Sequence, residues 1–320
     1  PAGDAALVAT PKAAAAVATA RATYANPEGR LWRIGTTPPS YLVGTFHVAA
    51  GGIERPGSLI DSLVDNASVL FVEVDQAALD AALEAWTRDP ARLFRHDGGR
   101  LSDGMTAAER LRAAAVIERY GIPYVVADQM QPFLLFGILS LPPCALAAAD
   151  ADGLDAVLEK RAAAAGIEVR PLETVDEQLA TLGATGAGDP GGVEALLRML
   201  LAQAKSLAED WFVNLALYRE GRIAALWVYG VDGFAEVVGR AEAEAMAAAF
   251  WERLVASRNR RMVERMMPRL REGGAVVAVG ALHLPGDDGL VELLRREGLS
   301  VEPVPEDAPD PARRGDGDAP

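Results

Sequence analysis

The chain has 320 residues, half of them apolar and 24% charged, which suits a globular protein with one large core. Its net charge of −14 argues against a broad surface for nucleic acid or anionic membrane. Cys144 is the single cysteine, so an intrachain disulfide and a cysteine-built zinc site are excluded, and no run of about 20 apolar residues is present to span a bilayer.

Residues 1–28 are rich in alanine. Lys12 to Ala22 has a helical composition but no amphipathic stripe, so the stretch reads as a flexible N-terminal arm. Leu31–Ile34 and Ser40–Val43, joined through Thr36-Thr37-Pro38-Pro39, read as a hairpin. Ser58 to Asn66 suits a helix, and Val69 to Asp75 a strand. Val69, Phe71, Glu73 and Asp75 would share one face of that strand. A carboxylate in so apolar a run must be paired, metal-bound or past the edge of the sheet.

Helices are expected over Ala77–Arg88 and Thr106–Tyr120, the second opening with the capping box Thr106-x-x-Glu109. Pro123–Ala127 reads as a short buried strand, and Pro132 opens an apolar helix. Leu154–Ala165 is a helix stopped by Gly166, followed by the strand Ile167–Pro171, a rhythm of the α/β class. Gly183–Gly192 is a Gly/Pro-rich break, and residues 193–249 form a helical insertion or cap beside the core. A long helix covers Arg240–Leu270 and a strand Ala275–Val279. The division is a single α/β domain over 29–304 and a disordered acidic tail over 305–320.

One phrase occurs twice. Gly44-Thr45-Phe46-His47 closes one strand, and Gly280-Ala281-Leu282-His283 closes another. Two of the three histidines thus sit past the C-terminal end of a strand, the edge of an open α/β sheet where ligands bind. In the long helix, Arg258 falls near the middle of an apolar arc made by Trp251, Leu254, Val255 and Met262. A guanidinium there needs a carboxylate, either as a structural salt bridge or at the strand-end site, and Glu73 is the expected partner.

A carboxylate and two imidazoles at strand ends make a three-ligand set for a divalent metal with open positions. An adjacent arginine would stabilise a developing oxyanion. The bland alternative is a pair of unrelated turns with solvated histidines. His96 reads as solvated, Asp287-Asp288 as the N-cap of the last helix, and Cys144 as a small buried side chain. Glu173 either caps its helix or supports the site. The chain holds no H-E-x-x-H, G-x-S-x-G or Walker loop.

Several blocks in order carry a family resemblance: Leu31-Trp32, Tyr41 to His47, Phe71-Val72-Glu73-Val74-Asp75 and Gly153-Leu154-Asp155. Leu172-Glu173-Thr174 with Glu177-Gln178-Leu179, Arg258 to Met262, and Val279 to Gly286 follow. The pattern resembles the TraB/PrgY/GumN family, which also contains the Tiki metalloproteases. The resemblance implies a central mixed sheet flanked by helices, in two related halves that each carry a G-x-x-H motif. It implies that His47, Glu73 and His283 hold a divalent metal, Mn²⁺ or Co²⁺ in preference with Zn²⁺ an alternative. Arg258 joins these three in catalysis, and Asn259 and Thr45 contact substrate.

The implied activity is cleavage of a peptide or protein substrate by a metal-dependent hydrolase in the periplasm or outside the cell, the cytoplasm being the alternative location. Two other functions compete: a protein that sequesters a peptide or haem-like ligand, and a metal-independent esterase with a histidine base. Nucleic acid is not an expected partner, and the oligomeric state is not set by the sequence.

Overall fold

In the computed structural model, which describes residues 3–146, 151–187, 197, 200–201 and 206–308, six strands form one mixed sheet. They are β1 (Leu31–Ile34), β2 (Ser40–Thr45), β3 (Val69–Val72), β4 (Glu168–Pro171), β5 (Ala275–Gly280) and β6 (Val301–Pro303). The spatial order is β4-β3-β5-β2-β1-β6. β4, β3, β5 and β2 run parallel, and β1 lies antiparallel between β2 and β6. The hairpin read from the sequence is the β1–β2 pair.

β5 is buried at every position because helices cover both faces, which is why its sequence is an unbroken apolar run. Ala275, Val277 and Val279 pack in one cluster with Met262 and Met266 of the helix Ser257–Leu270 and with Leu290 and Leu294 of the helix Leu290–Arg296. Val276 and Ala278 turn the other way, towards Leu59 and Leu63 of the helix Ser58–Asp65 and Leu154 and Leu158 of the helix Leu154–Ala164. The result is an α/β fold with helices on either side of the sheet.

The long helix is interrupted by one π turn, Glu252–Ala256, between Arg240–Trp251 and Ser257–Leu270. Such a turn takes up an extra residue and is frequent at functional sites. Here it falls directly before Arg258. Helix Leu207–Arg219 covers the strand ends, with Phe46 resting 5.8 Å from the Trp211 ring and 5.1 Å from that of Tyr218. The buried Tyr218 hydroxyl donates to the carbonyl of Gly44 at 2.9 Å. Among the described residues, no helix is long and apolar enough to cross a membrane.

Five local readings are revised. The strand expected over Val69–Asp75 ends at Val72, and Asp75 accepts from the Ala78 N–H at the start of the next helix. Tyr124–Ala127 is a helical turn, not a buried strand; only Ala127 is buried, and Val125 faces solvent. The helix Val175–Ala187 continues through Gly183, and the rest of the expected break lies outside the described residues.

The N-terminal arm is not loose, since Pro11–Thr23 is a helix that buries Ala13, Ala16, Val17 and Ala20 against the helix Ile223–Val238. Alanine lets two helices approach closely without a strong apolar stripe, so the pattern was nearly silent. The start of the acidic tail is also held: Arg30 grips Glu306 through two hydrogen bonds, at 2.7 and 2.5 Å. Residues 309–320, and most of 193–205 in the expected insertion, lie outside the described residues.

Candidate functional site

Each parallel strand delivers one polar residue just past its C-terminal end. His47 follows β2, Glu73 follows β3, Glu173 follows β4 and His283 follows β5. The spacing is short because the sheet pairing continues into the turns, as where the Glu173 N–H donates to the Glu73 carbonyl at 2.8 Å. Both G-x-x-H motifs meet here, since β2 and β5 are neighbours with Gly44 opposite Val279.

Glu73 is buried and lies at the centre. Its Oε1 accepts from the Gly280 N–H at 2.6 Å, and its Oε2 accepts from Nη2 of Arg258 at 2.6 Å. The Nε2 atoms of His47 and His283 stand 3.8 and 3.5 Å from the same Oε1. Burial alone would raise the Glu73 pKa. The electrostatic interactions with the His283 and His47 imidazoles and the Arg258 guanidinium, with the Gly280 N–H, outweigh it and hold the carboxyl well below the usual range.

Arg258 is buried with two carboxylates, not one. Its Nε and Nη2 donate to Oε2 of Glu173 at 2.8 and 2.6 Å, and its Nη1 donates to the Leu254 carbonyl at 3.0 Å. Glu173 also receives Arg261 at 3.3 Å. The salt bridge and the strand-end arginine are therefore one arrangement. Glu173 supports the site from behind; the Thr174–Glu177 pair caps the helix that follows.

His283 is buried in a fixed orientation. Its Nδ1 lies 2.5 Å from Oδ1 of Asn259, whose amide nitrogen donates to the carbonyls of His283 at 3.1 Å and Asp288 at 2.7 Å. The Asn259 oxygen is thereby committed to accept, so Nδ1 carries the proton and Nε2 is the acceptor, with Arg258 Nη1 at 3.2 Å. Burial lowers the His283 pKa, and the Arg258 charge adds to this against Glu73, leaving it at about 4. The imidazole is neutral at pH 7.

His47 differs. Its side chain is 55% exposed, and Nδ1 lies 3.1 Å from Oδ2 of Asp155. The Asp155 hydrogen bond and the Glu73 and Asp155 charges raise its pKa to about 9. Asp155 is the site residue that the sequence reading did not single out, although it stands in the Gly153-Leu154-Asp155 block. Its position in the first turn of a helix gives an acidic residue an ordinary explanation.

The structure brings His47, Glu73, His283 and Arg258 together. It does not place the two expected substrate contacts at a surface. Asn259 is wholly buried and holds His283, and Thr45 is 1% exposed with its hydroxyl unpartnered among the described residues. His96 is exposed and bonds the Ala91 carbonyl, away from the site. Cys144 is exposed, not buried. Gly289, not Asp287 or Asp288, is the N-cap of the helix Leu290–Arg296.

Among the described residues, no three His, Cys, Asp or Glu side chains stand as an assembled metal cage. Arg258 occupies Oε2 of Glu73 and faces Nε2 of His283. The donor set nonetheless fits a divalent ion in type. Both imidazoles are held at Nδ1 and direct Nε2 towards one carboxylate, the arrangement in which metal-ligating histidines are held by outer partners.

A model of the TraB/PrgY/gumN family matches residues 30–303. The chain belongs to that family. No curated protein and no solved structure matches it. In this TraB/PrgY/gumN protein the matched segment takes in all six strands and every residue of the site, and leaves out the helix Pro11–Thr23.

Proposed function

We propose that this TraB/PrgY/gumN protein is a metal-dependent hydrolase acting on peptide bonds at the strand-end site. One observation carries the reading: two imidazoles from separate strands, each fixed at Nδ1, offer Nε2 to the same oxygen of Glu73 at 3.8 and 3.5 Å. Two ligands each about 2.1 Å from one tetrahedral ion stand roughly 3.4 Å apart, close to these spacings.

His47, Glu73 and His283 would hold Mn²⁺, Co²⁺ or Zn²⁺. Such an ion supplies a polarised carbonyl and a bound water of lowered pKa. The chain's own groups do the rest. Asp155 and Asn259 set the tautomers of the two imidazoles. Arg258, kept charged and in place by Glu173, puts its positive charge beside the place where negative charge develops on a scissile carbonyl. Phe46, one residue before His47, is held by Trp211 and Tyr218 of the helix Leu207–Arg219, which fixes the His47 turn. An extracytoplasmic location comes with this reading through the resemblance to GumN-type relatives, and cell fractionation tests it.

The test is calorimetric titration of chelated protein with Mn²⁺, Co²⁺ and Zn²⁺, together with turnover of a peptide library. His47→Ala and His283→Ala are measured alongside. If wild type binds none of the ions, or either variant binds as tightly as wild type, the metal assignment is wrong.

A second reading is a metal-independent hydrolase with His47 as base. It is favoured by the half-exposed His47–Asp155 pair and by the arginine already seated on Nε2 of His283, and it calls for alkaline pH, because a His47 raised to about 9 is protonated at pH 7. Turnover that persists in excess chelator selects it over the first.

A further inference from the structure

A groove of about 490 Å³ opens between the N-terminal helix Pro11–Thr23 and the helices Ile223–Val238 and Arg240–Trp251. Its wall carries Tyr24, Trp227 and Trp251. The Trp251 ring lies 5.1 Å from Trp227 at 62° and 5.8 Å from Tyr24 at 60°. All three are half-buried, so they line a wall and do not fill a core. The chain has only five tryptophans and six tyrosines, and three of these eleven aromatic residues stand together in this groove.

The rim is acidic. Asp232, Glu244 and Glu252 line it with one guanidinium, that of Arg240, which is drawn to Asp232 at 2.7 Å. Glu244 stands 3.8 Å from Arg240, and Glu252 pairs with Arg260 outside the groove. Aromatic faces carry negative potential and attract cations, more strongly when water is excluded. Carboxylates around them add to that field. A neutral ligand gains nothing from the rim and an anion is repelled. The chemistry selects a cation on an apolar stem, which is a lysine or arginine side chain.

The groove also adjoins the strand-end site. Gly286 follows His283 by three residues, and a Cβ built there would lie 3.4 Å from Tyr24 and 3.5 Å from Trp251. Three residues of chain span at most about 11 Å. Glu252, at the groove, begins the π turn that leads into Arg258. One loop and one helix therefore link the site to the aromatic wall.

We infer that the groove is a subsite for the basic side chain of a peptide whose scissile bond lies at His47, Glu73 and His283. The binding part stands on the groove alone; the position of the scissile bond rests on the hydrolase reading above.

The experiment reads the indole N–H signals of the full chain by NMR as N-acetyl-Ala-Lys-Ala-amide is added, with the norleucine tripeptide as the uncharged comparison. The lysine peptide is expected to shift the Trp227 and Trp251 signals but not that of Trp32, and to bind about tenfold more tightly than the norleucine peptide. Trp251→Leu should abolish this preference. Because Trp251 also packs, Glu244→Lys on the exposed rim gives a second reading and should weaken the lysine peptide several-fold. Equal shifts with both peptides, no shifts, or unchanged binding by Glu244→Lys overturn the groove assignment. Selective binding without any peptide cleavage keeps the groove and removes the hydrolase reading.

Discussion

Nη2 of Arg258 lies 2.6 Å from Oε2 of Glu173, a carboxylate whose side chain has no exposed surface. The same nitrogen is 2.6 Å from Glu73, so one guanidinium bridges two buried acids. Removing one partner of a buried pair leaves charge without compensation, which typically costs about 3–5 kcal/mol. Arg258→Met should therefore lower stability by roughly that amount in urea unfolding, and Glu173→Gln added to it should restore part of the loss. A single variant within about 1 kcal/mol of wild type would show that Arg258 is not needed to keep the fold.

Two glycines separate site geometry from fold. A Cβ on Gly280 would come 2.9 Å from Nε2 of His47 and 3.0 Å from Oε1 of Glu73, both ends of side chains. A Cβ on Gly153 would come 2.4 Å from the backbone carbon and oxygen of His47. Gly280→Ala is expected to weaken metal binding at least about tenfold with stability changed by less than about 1 kcal/mol. Gly153→Ala should destabilise by about 1–3 kcal/mol, because backbone cannot give way as a side chain does. Calorimetry and urea unfolding on both variants check the contrast, and equal effects would contradict it.

Asn259 fixes the His283 ring. In metal-free protein at pH 7, long-range ¹H–¹⁵N spectra should show a neutral His283 with the proton on Nδ1. Asn259→Leu leaves a ring N–H without its acceptor and two carbonyls without their donor. Each buried unpaired group costs about 1–3 kcal/mol. A wild-type imidazolium at pH 7 would contradict the assignment.

Glu177 gives the chain an acid-sensitive contact. Arg265 donates to it at 2.8 and 2.6 Å, and the Thr174 N–H donates at 2.8 Å. The Arg265 hydrogen bond first, then the Thr174 N–H, hold its pKa down to about 2. A carboxyl depressed in the folded state adds stability above its unfolded pKa, about 4.3, and loses it as pH falls through the folded value. Both side chains are a third or more exposed, so water screens the pair. Glu177→Gln should cost less than about 1 kcal/mol at pH 7, and the gap from wild type should narrow between pH 4 and pH 2. A gap that widens on acidification would reverse the sign.

The site was legible where a residue broke its local pattern. Two histidines past strand ends, a glutamate closing an apolar strand and an arginine inside an apolar arc each contradicted their surroundings. Asp155 did not, since an acid in the first turn of a helix is unremarkable, and only the fold brings it to His47. Thr45 shows the opposite failure, because a polar residue beside a motif looks functional until the sheet buries it. Among the elements, the apolar strands were plain, whereas the alanine helix Pro11–Thr23 buries small side chains that leave little periodic trace. Val125 and Val126 suggested a strand over Pro123–Ala127, but a single helical turn needs no pattern at all.

β5 lies between β2 and β3 yet comes near the end of the sequence. During synthesis, β1 and β2, then β3 and β4, emerge before the strand that joins the two pairs. At about 5–20 residues per second, β2 waits on the order of 10–50 s for its central partner. The apolar edges facing that gap invite other chains to pair with them. Arrival of β5 closes both edges and brings His283 to Glu73 in one event. Whatever chemistry the site performs is withheld from the nascent chain, and the hazard before completion is aggregation, not premature reaction.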